Sequence, residues 1–229
     1  MREDITSIPI SEVFEPKDGC PLCRLRDMLE ERVVTYITGA AMMEPDVRQE
    51  TNRTGFCLEH YQQMLKKRNR LSVALMLQSH LDELEKQVFS GLPIIGKSAG
   101  KQAKDAGKST ASCFVCNKVD AAFERMLQNV CRLWEQERDF RELFSEQTAL
   151  CLPHFSRLTE TAATAMSKKH APDFTKVCAS LAHKSLQELQ HDVGHFCTMF
   201  DYRNAGGDWG NSKDAVERSV WFLTGRKVD

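Results

Sequence analysis

The apolar residues of this chain recur at intervals of three and four, the spacing that lines one face of a helix. Leu22, Leu25, Leu29, Val33 and Ile37 form the first stripe. Pro21 precedes it, where a missing N–H costs little, and Gly39 is a plausible stop. Ahead of it, residues 1–19 read as an irregular lead-in with an apolar patch at Ile8, Ile10, Val13 and Phe14. Behind it, residues 40–56 have broken periodicity and turn formers, which suits a loop carrying the chain back. A helix follows His60 with Tyr61, Met64 and Leu65. Asn69 then marks a break before another, with Leu71, Leu75, Leu81, Leu84 and Val88 on one face.

The second half follows a similar course. A stripe from Cys116 carries Val119, Phe123, Met126, Leu127, Val130 and Trp134, and a polar break falls at Glu137-Arg138-Asp139. A short piece with Phe140, Leu143 and Phe144 leads to a helix after His154, an interruption near Ala171-Pro172, and a long helix over roughly 173–200. The tail from Asp201 through Trp209 to Gly210 is turn-rich. Asn211 or Ser212 caps a last helix with Ala215, Val216, Val220 and Leu223, which Gly225 ends. No segment alternates convincingly with period two, so the chain reads as all-α.

Leu81 to Val88 lines up with Leu186 to Val193, pointing to internal duplication of a helical unit of about 70–90 residues. Between the copies, Gly96, Lys97, Ser98, Gly100, Lys101, Lys104, Gly107 and Lys108 have the composition of a solvated basic linker. The expected organisation is therefore a first unit over 1–90, a flexible linker over 91–112, a second unit over 113–200, and a C-terminal loop and helix over 201–229.

Composition narrows the class. Hydrophobic residues make up 41% and charged residues 28% of the 229, which suits a globular chain rather than a disordered one. A formal charge of −1 gives no general pull towards nucleic acid or an anionic membrane. The basic run Lys66-Lys67-Arg68-Asn69-Arg70 lacks an aromatic platform, and as a helix end it meets the dipole favourably. Neither a signal peptide nor an apolar run of membrane-spanning length is present, so the expected compartment is the cytoplasm. There, nine cysteines read as metal ligands or reactive thiols, not as a disulfide framework.

Six of the nine fall into two cassettes. Cys20-Pro-Leu-Cys23 is followed by Cys57-Leu-Glu-His60, and Cys113-Phe-Val-Cys116 by Cys151-Leu-Pro-His154. The gaps between the pairs are 33 and 34 residues. Three thiolates and an imidazole fill all four positions of a tetrahedral zinc site, leaving no place for water or substrate, which marks a structural site. A C-x2-C at a helix start also sits among free N–H groups that favour the thiolate. Two structural zinc ions are expected: one on Cys20, Cys23, Cys57 and His60, the other on Cys113, Cys116, Cys151 and His154. Iron or an iron–sulfur cluster, and apo dithiols or disulfides, stand as alternatives. Cys131, Cys178 and Cys197 are expected to be buried as small hydrophobes.

Other groupings are weaker. Glu188, His191 and His195 share one helix face, but a di-metal carboxylate site needs a second Glu-x-x-His and further carboxylates. Cys20-Pro-Leu-Cys23 has the form of a dithiol oxidoreductase motif without the strand that should precede it. The segments Met43-Glu-Pro-Asp-Val-Arg48 and Asp201-Tyr-Arg203 with Trp209 read as capping and packing; a ligand pocket, if present, is expected where they meet.

With the CPLC, MEPDVR, GFCLEH and DYR motifs in view, nearly the whole chain resembles a bacterial family designated a domain of unknown function, number 6062. The resemblance implies a soluble bacterial protein and brings no activity with it. From the residues, the expected role is a non-enzymatic module in which structural zinc holds helices that present a surface to another protein. The alternatives are a thiol-redox or zinc-release sensor and a metal-dependent enzyme.

Overall fold

Helix α2 (Pro21–Thr38) begins at Pro21 and buries Leu22, Leu25, Leu29, Val34 and Ile37, a stripe of the kind that a 3.6-residue repeat places on one face. Val34, not Val33, carries the inward position. In the computed structural model, which describes residues 8–89 and 97–227, ten further α-helices accompany it, and no strand occurs among the described residues. They are α1 (Ile8–Phe14), α3 (Pro45–Thr54), α4 (Leu58–Lys66), α5 (Arg70–Leu84), α6 (Lys97–Thr110), α7 (Phe114–Gln136), α8 (Arg138–Ser145), α9 (Leu152–Ala165), α10 (Ala171–Thr198) and α11 (Ala215–Thr224). The all-α expectation holds. No helix among the described residues is long and apolar enough to cross a membrane.

The chain divides into two compact units, and these do not coincide with 1–90 and 113–200. One comprises Met1–Arg26 with Glu124–Asp229; the other is Asp27–Phe123. The chain passes between them inside α2 and again inside α7.

In the first unit, α9, α10 and α11 pack on one another. Its core is aromatic: Phe14 meets Phe140 and Phe144, and Phe174 meets Phe144 and Trp134, at centroid distances of 5.2–5.5 Å. Such pairs contribute about 0.5–1.5 kcal/mol each beyond the area they bury. Phe14 lies on α1, so part of the expected irregular lead-in is a helix with Ile10, Val13 and Phe14 buried. Residues 1–7 of that lead-in lie outside the described residues. Arg24 ties the end of α1 to α2 by donating to the carbonyls of Val13 and Asp18. The tail loop and final helix occur as expected, except that Asp214 holds the N-cap position of α11.

In the second unit, α3 packs on α5. The segment expected as a return loop is instead a 3-10 turn over Ala40–Met43 followed by α3. Pro45 opens α3, and Arg48 then bonds to Ser79 Oγ and the Leu75 carbonyl on α5. The face of α5 also differs from expectation. Leu71 and Leu81 are exposed, whereas Ser72, Val73 and Met76 are buried. Asn69 does cap this helix, its side chain accepting from Ser72 N at 3.3 Å. Finally, α6 occupies most of the expected linker: Lys, Ala, Gln and Asp outweigh two interior glycines, and helix propensity prevails over linker-like composition. Residues 90–96 lie outside the described residues.

Candidate metal centres

Four helix starts supply the chemistry. Cys20 immediately precedes α2, Cys113 immediately precedes α7, and Cys57 and Cys151 are the N-cap residues of α4 and α9. Each following turn brings a second ligand onto the same end: Cys23, Cys116, His60 and His154. The free N–H groups and positive dipole end at each start favour negative sulfur.

The structure assembles these eight residues into two foursomes, but crosses the expected pairs. Cys20 and Cys23 meet Cys151 and His154, and Cys57 and His60 meet Cys113 and Cys116. This overturns the expected pairing of each C-x2-C with the next C-x2-H. The physical reason lies in long-range contacts: α3 packs on α5, and hydrogen bonds between the segments before each ligand pair hold the crossed partners together.

Loop clips register each foursome. In the first unit, Gly19 N donates to Thr148 Oγ1 and that hydroxyl donates to the Lys17 carbonyl, zipping the segment before Cys20 to the segment before Cys151. The buried Gln147 donates to the Phe14 carbonyl. In the second unit, Phe114 N donates to the Gly55 carbonyl and Ser112 Oγ to the Thr54 carbonyl, zipping the approach to Cys113 against the approach to Cys57. Both foursomes thus use one plan.

Within each, the ligand atoms all lie within 4.8 Å of one another. In the first, His154 Nδ1 lies 3.6, 3.4 and 3.1 Å from the sulfurs of Cys20, Cys23 and Cys151, and Cys23 Sγ is 3.6 Å from Cys151 Sγ. In the second, His60 Nδ1 lies 3.0, 3.3 and 3.5 Å from Cys57, Cys113 and Cys116, and Cys57 Sγ is 3.9 Å from Cys116 Sγ. A tetrahedron with ~2.3 Å metal–sulfur bonds has edges of roughly 3.8 Å. These spacings are far beyond the ~2.05 Å of a disulfide, and all nine cysteines are free. Each foursome is therefore geometrically suited to hold a metal ion.

Charge explains why a cation belongs there. Without one, three adjacent thiolates repel, and each foursome holds one thiol low at the expense of others. Burial opposes ionisation of Cys20, but hydrogen bonds from Cys151 and Cys23 and the imidazole of His154 outweigh it and hold that thiol well below its ordinary value. Contacts with Cys151 and Cys20 push Cys23 up, and the contact with Cys20 lifts Cys151 to about 12. In the second foursome, burial of Cys113 is outweighed by its hydrogen bond with His60, which holds the thiol at about 6; burial and that neighbouring charge raise Cys116. Burial alone would lower His60, yet its hydrogen bonds with Cys113 and Glu30 raise it to about 10. A divalent cation would remove this competition and let every thiol ionise.

The surroundings differ. All four ligands of the Cys20–His154 foursome are buried, and its lid is the end of α11: Gly225, left-handed at φ 67°, brings its carbonyl 3.6 Å from Cys23 Sγ. In the other, Cys57 and Cys116 are only half-buried. Glu30, itself 5% exposed, stands behind His60 with Oε1 2.8 Å from Nε2, fixing the ring so that Nδ1 faces the sulfurs. Glu30 escaped the sequence reading. Its signal is a carboxylate four residues before Val34 and seven before Ile37, on the face α2 buries.

The remaining candidates resolve into ordinary roles. Glu188, His191 and His195 do not gather as metal ligands: His191 contacts Asp192 and His195 Nε2 lies 3.0 Å from the Asp208 carbonyl. Cys131 and Cys178 are buried as expected, whereas Cys197 is exposed. The 43–48 segment packs through Arg48, and Asp201 caps its own turn by accepting from Arg203 N. These two segments belong to different units.

Fold and centres together define an all-helical protein with two Cys3His foursomes fit for metal. The chain belongs to the family of unknown function (DUF6062), which it matches over residues 1–229. No curated protein and no solved structure matches it.

Proposed function

We propose that each foursome binds one zinc ion as a structural clamp, and that the clamped helices form a non-enzymatic scaffold for a protein partner in a reducing compartment such as the cytoplasm. The observation that carries the reading is the completeness of the donor sets: three sulfurs and one imidazole nitrogen mutually within 4.8 Å, drawn from two helix starts distant in sequence. A filled tetrahedron offers no open position for a water or a substrate, which argues against metal-centred catalysis. Zinc suits mixed sulfur and nitrogen donors, whereas iron–sulfur clusters generally take sulfur alone. The nine free thiols support a reducing compartment.

Elemental analysis of the purified chain tests this reading and should give two zinc ions per molecule. Stripping them with a strong chelator should abolish most of the helical circular dichroism, because structural zinc contributes ~10–16 kcal/mol in small peptides against net domain stabilities of ~5–15. A metal-free chain that kept its full helicity and melting temperature would overturn it.

A further inference from the structure

Beside the Cys57 foursome lies an apolar groove of about 430 Å³ walled by Phe56, Leu58, Tyr61, Val88 and Phe89, and Cys57 is the one ligand that lines it. The volume falls in the range of sites that enclose small organic molecules. Cys57 and Cys116 are the two half-buried ligands, and their sulfurs are 3.9 Å apart. A half-buried cysteine lining an apolar approach and a second half-buried cysteine within closing distance are the parts of a thiol-peroxide reaction. None of the ligands of the Cys20–His154 foursome is exposed to such an approach.

We propose that the groove admits an organic hydroperoxide, which oxidises Cys57, and that Cys116 then closes a disulfide that opens this foursome and releases its ion. The proposal rests on the metal reading above and specifies how one of the two centres is regulated. The Cys57 thiolate attacks the terminal peroxide oxygen. An S–O bond forms, the O–O bond breaks, and the alkoxide leaves and takes a proton from water to become the alcohol. The Cys116 thiolate next attacks the Cys57 sulfur; the S–S bond forms and hydroxide leaves. Together the two thiolates lose two electrons, and one hydroperoxide and one water become an alcohol and two hydroxides. The sulfurs must approach by roughly 2 Å to reach the ~2.05 Å of a disulfide. Only Cys113 and His60 then remain as donors, half a tetrahedron.

The test uses the full chain with its zinc content measured first. Cumene hydroperoxide or hydrogen peroxide is added, ion release is followed with a chromogenic chelator, and disulfides are mapped by peptide mass spectrometry. Rates are normalised to those of N-acetylcysteine with the same two oxidants. One ion of two should be released, with a Cys57–Cys116 disulfide and with cumene hydroperoxide at least tenfold favoured. Phe89→Ser, which replaces no ligand, should keep two ions and lower that preference at least threefold. A chain with two ions that keeps both, loses both together, forms its disulfide elsewhere, or shows no preference overturns this proposal and leaves the metal reading standing. A chain isolated without metal overturns both.

Discussion

Two centres with identical donor sets, built on the same pair of helix starts, differ in what surrounds them. Around Cys20, Cys23, Cys151 and His154 every ligand is buried and the end of α11 closes over the sulfurs. Around Cys57, His60, Cys113 and Cys116 two of the cysteines are only half-buried and a buried carboxylate braces the imidazole. Donor identity fixes which ion fits, whereas burial and outer hydrogen bonds fix how readily the ion leaves. The first centre is suited to permanence and the second to exchange.

The largest expected effect tests the crossed pairing itself. Cys20→Ser and Cys151→Ser should each lower zinc to about one ion per chain and, combined, should remove no more, since both serve one site. Cys20→Ser combined with Cys57→Ser should empty the protein. Elemental analysis of the two double variants distinguishes this pairing from the adjacent one, in which Cys20 and Cys57 would share an ion. Loss of either ion should melt its unit, by several kcal/mol.

Glu30→Gln sharpens the comparison without touching a ligand. It should weaken one ion, about 10- to 100-fold in affinity, and leave the other unchanged in a chelator competition. Equal weakening of both, or of neither, would show that the carboxylate does not tune the Cys57 centre.

Each centre is also flanked by a glycine with positive φ, and the two should respond differently. Gly55 has φ 60° and ψ −158°, a region essentially confined to glycine, and an added Cβ would sit 2.9 Å from His80 Nε2. Gly225 is left-handed, but its Cβ would meet Cys151 Sγ at an ordinary 3.5 Å. Gly55→Ala should cost about 2–3 kcal/mol and Gly225→Ala about 1, read from thermal melts of the zinc-loaded chain.

The smallest effect lies away from the metal. Arg218 on α11 pairs with Asp192 on α10 at 2.8 Å, and its hydrogen bond holds that carboxyl below the usual carboxylate range. A depressed folded value means that the stabilisation is present above the unfolded value of ~3.9 and lost as pH falls through the folded one. Arg218→Met should therefore cost about 0.5–1 kcal/mol at neutral pH, and the difference from wild type should shrink in acid, where only the bond from Arg218 to the Asn211 carbonyl remains.

Much of this was legible in the residues. The stripe of α2 and that of α7 locate two helices because a 3.6-residue period is written directly in side-chain type. The eight residues of the two foursomes were legible because C-x2-C and C-x2-H spacings match one turn of helix. Glu30 was nearly so: a lone carboxylate on an apolar face needs a buried partner, but nothing local reveals that the partner is His60. The buried face of α5 was not legible because two of its leucines, Leu71 and Leu81, sit on the exposed side, and hydrophobicity without neighbours does not say which side packs.

The sequence by itself determined that the chain is helical, where most helices start, and which eight side chains carry the donor atoms, since each depends on residues within a turn or two of one another. Tertiary structure alone decided which donors gather in one foursome. That depends on hydrogen bonds such as Gly19 to Thr148 and Phe114 to Gly55 between segments dozens of residues apart. Equal spacing made the adjacent pairing look natural; those long-range hydrogen bonds hold the crossed one in place.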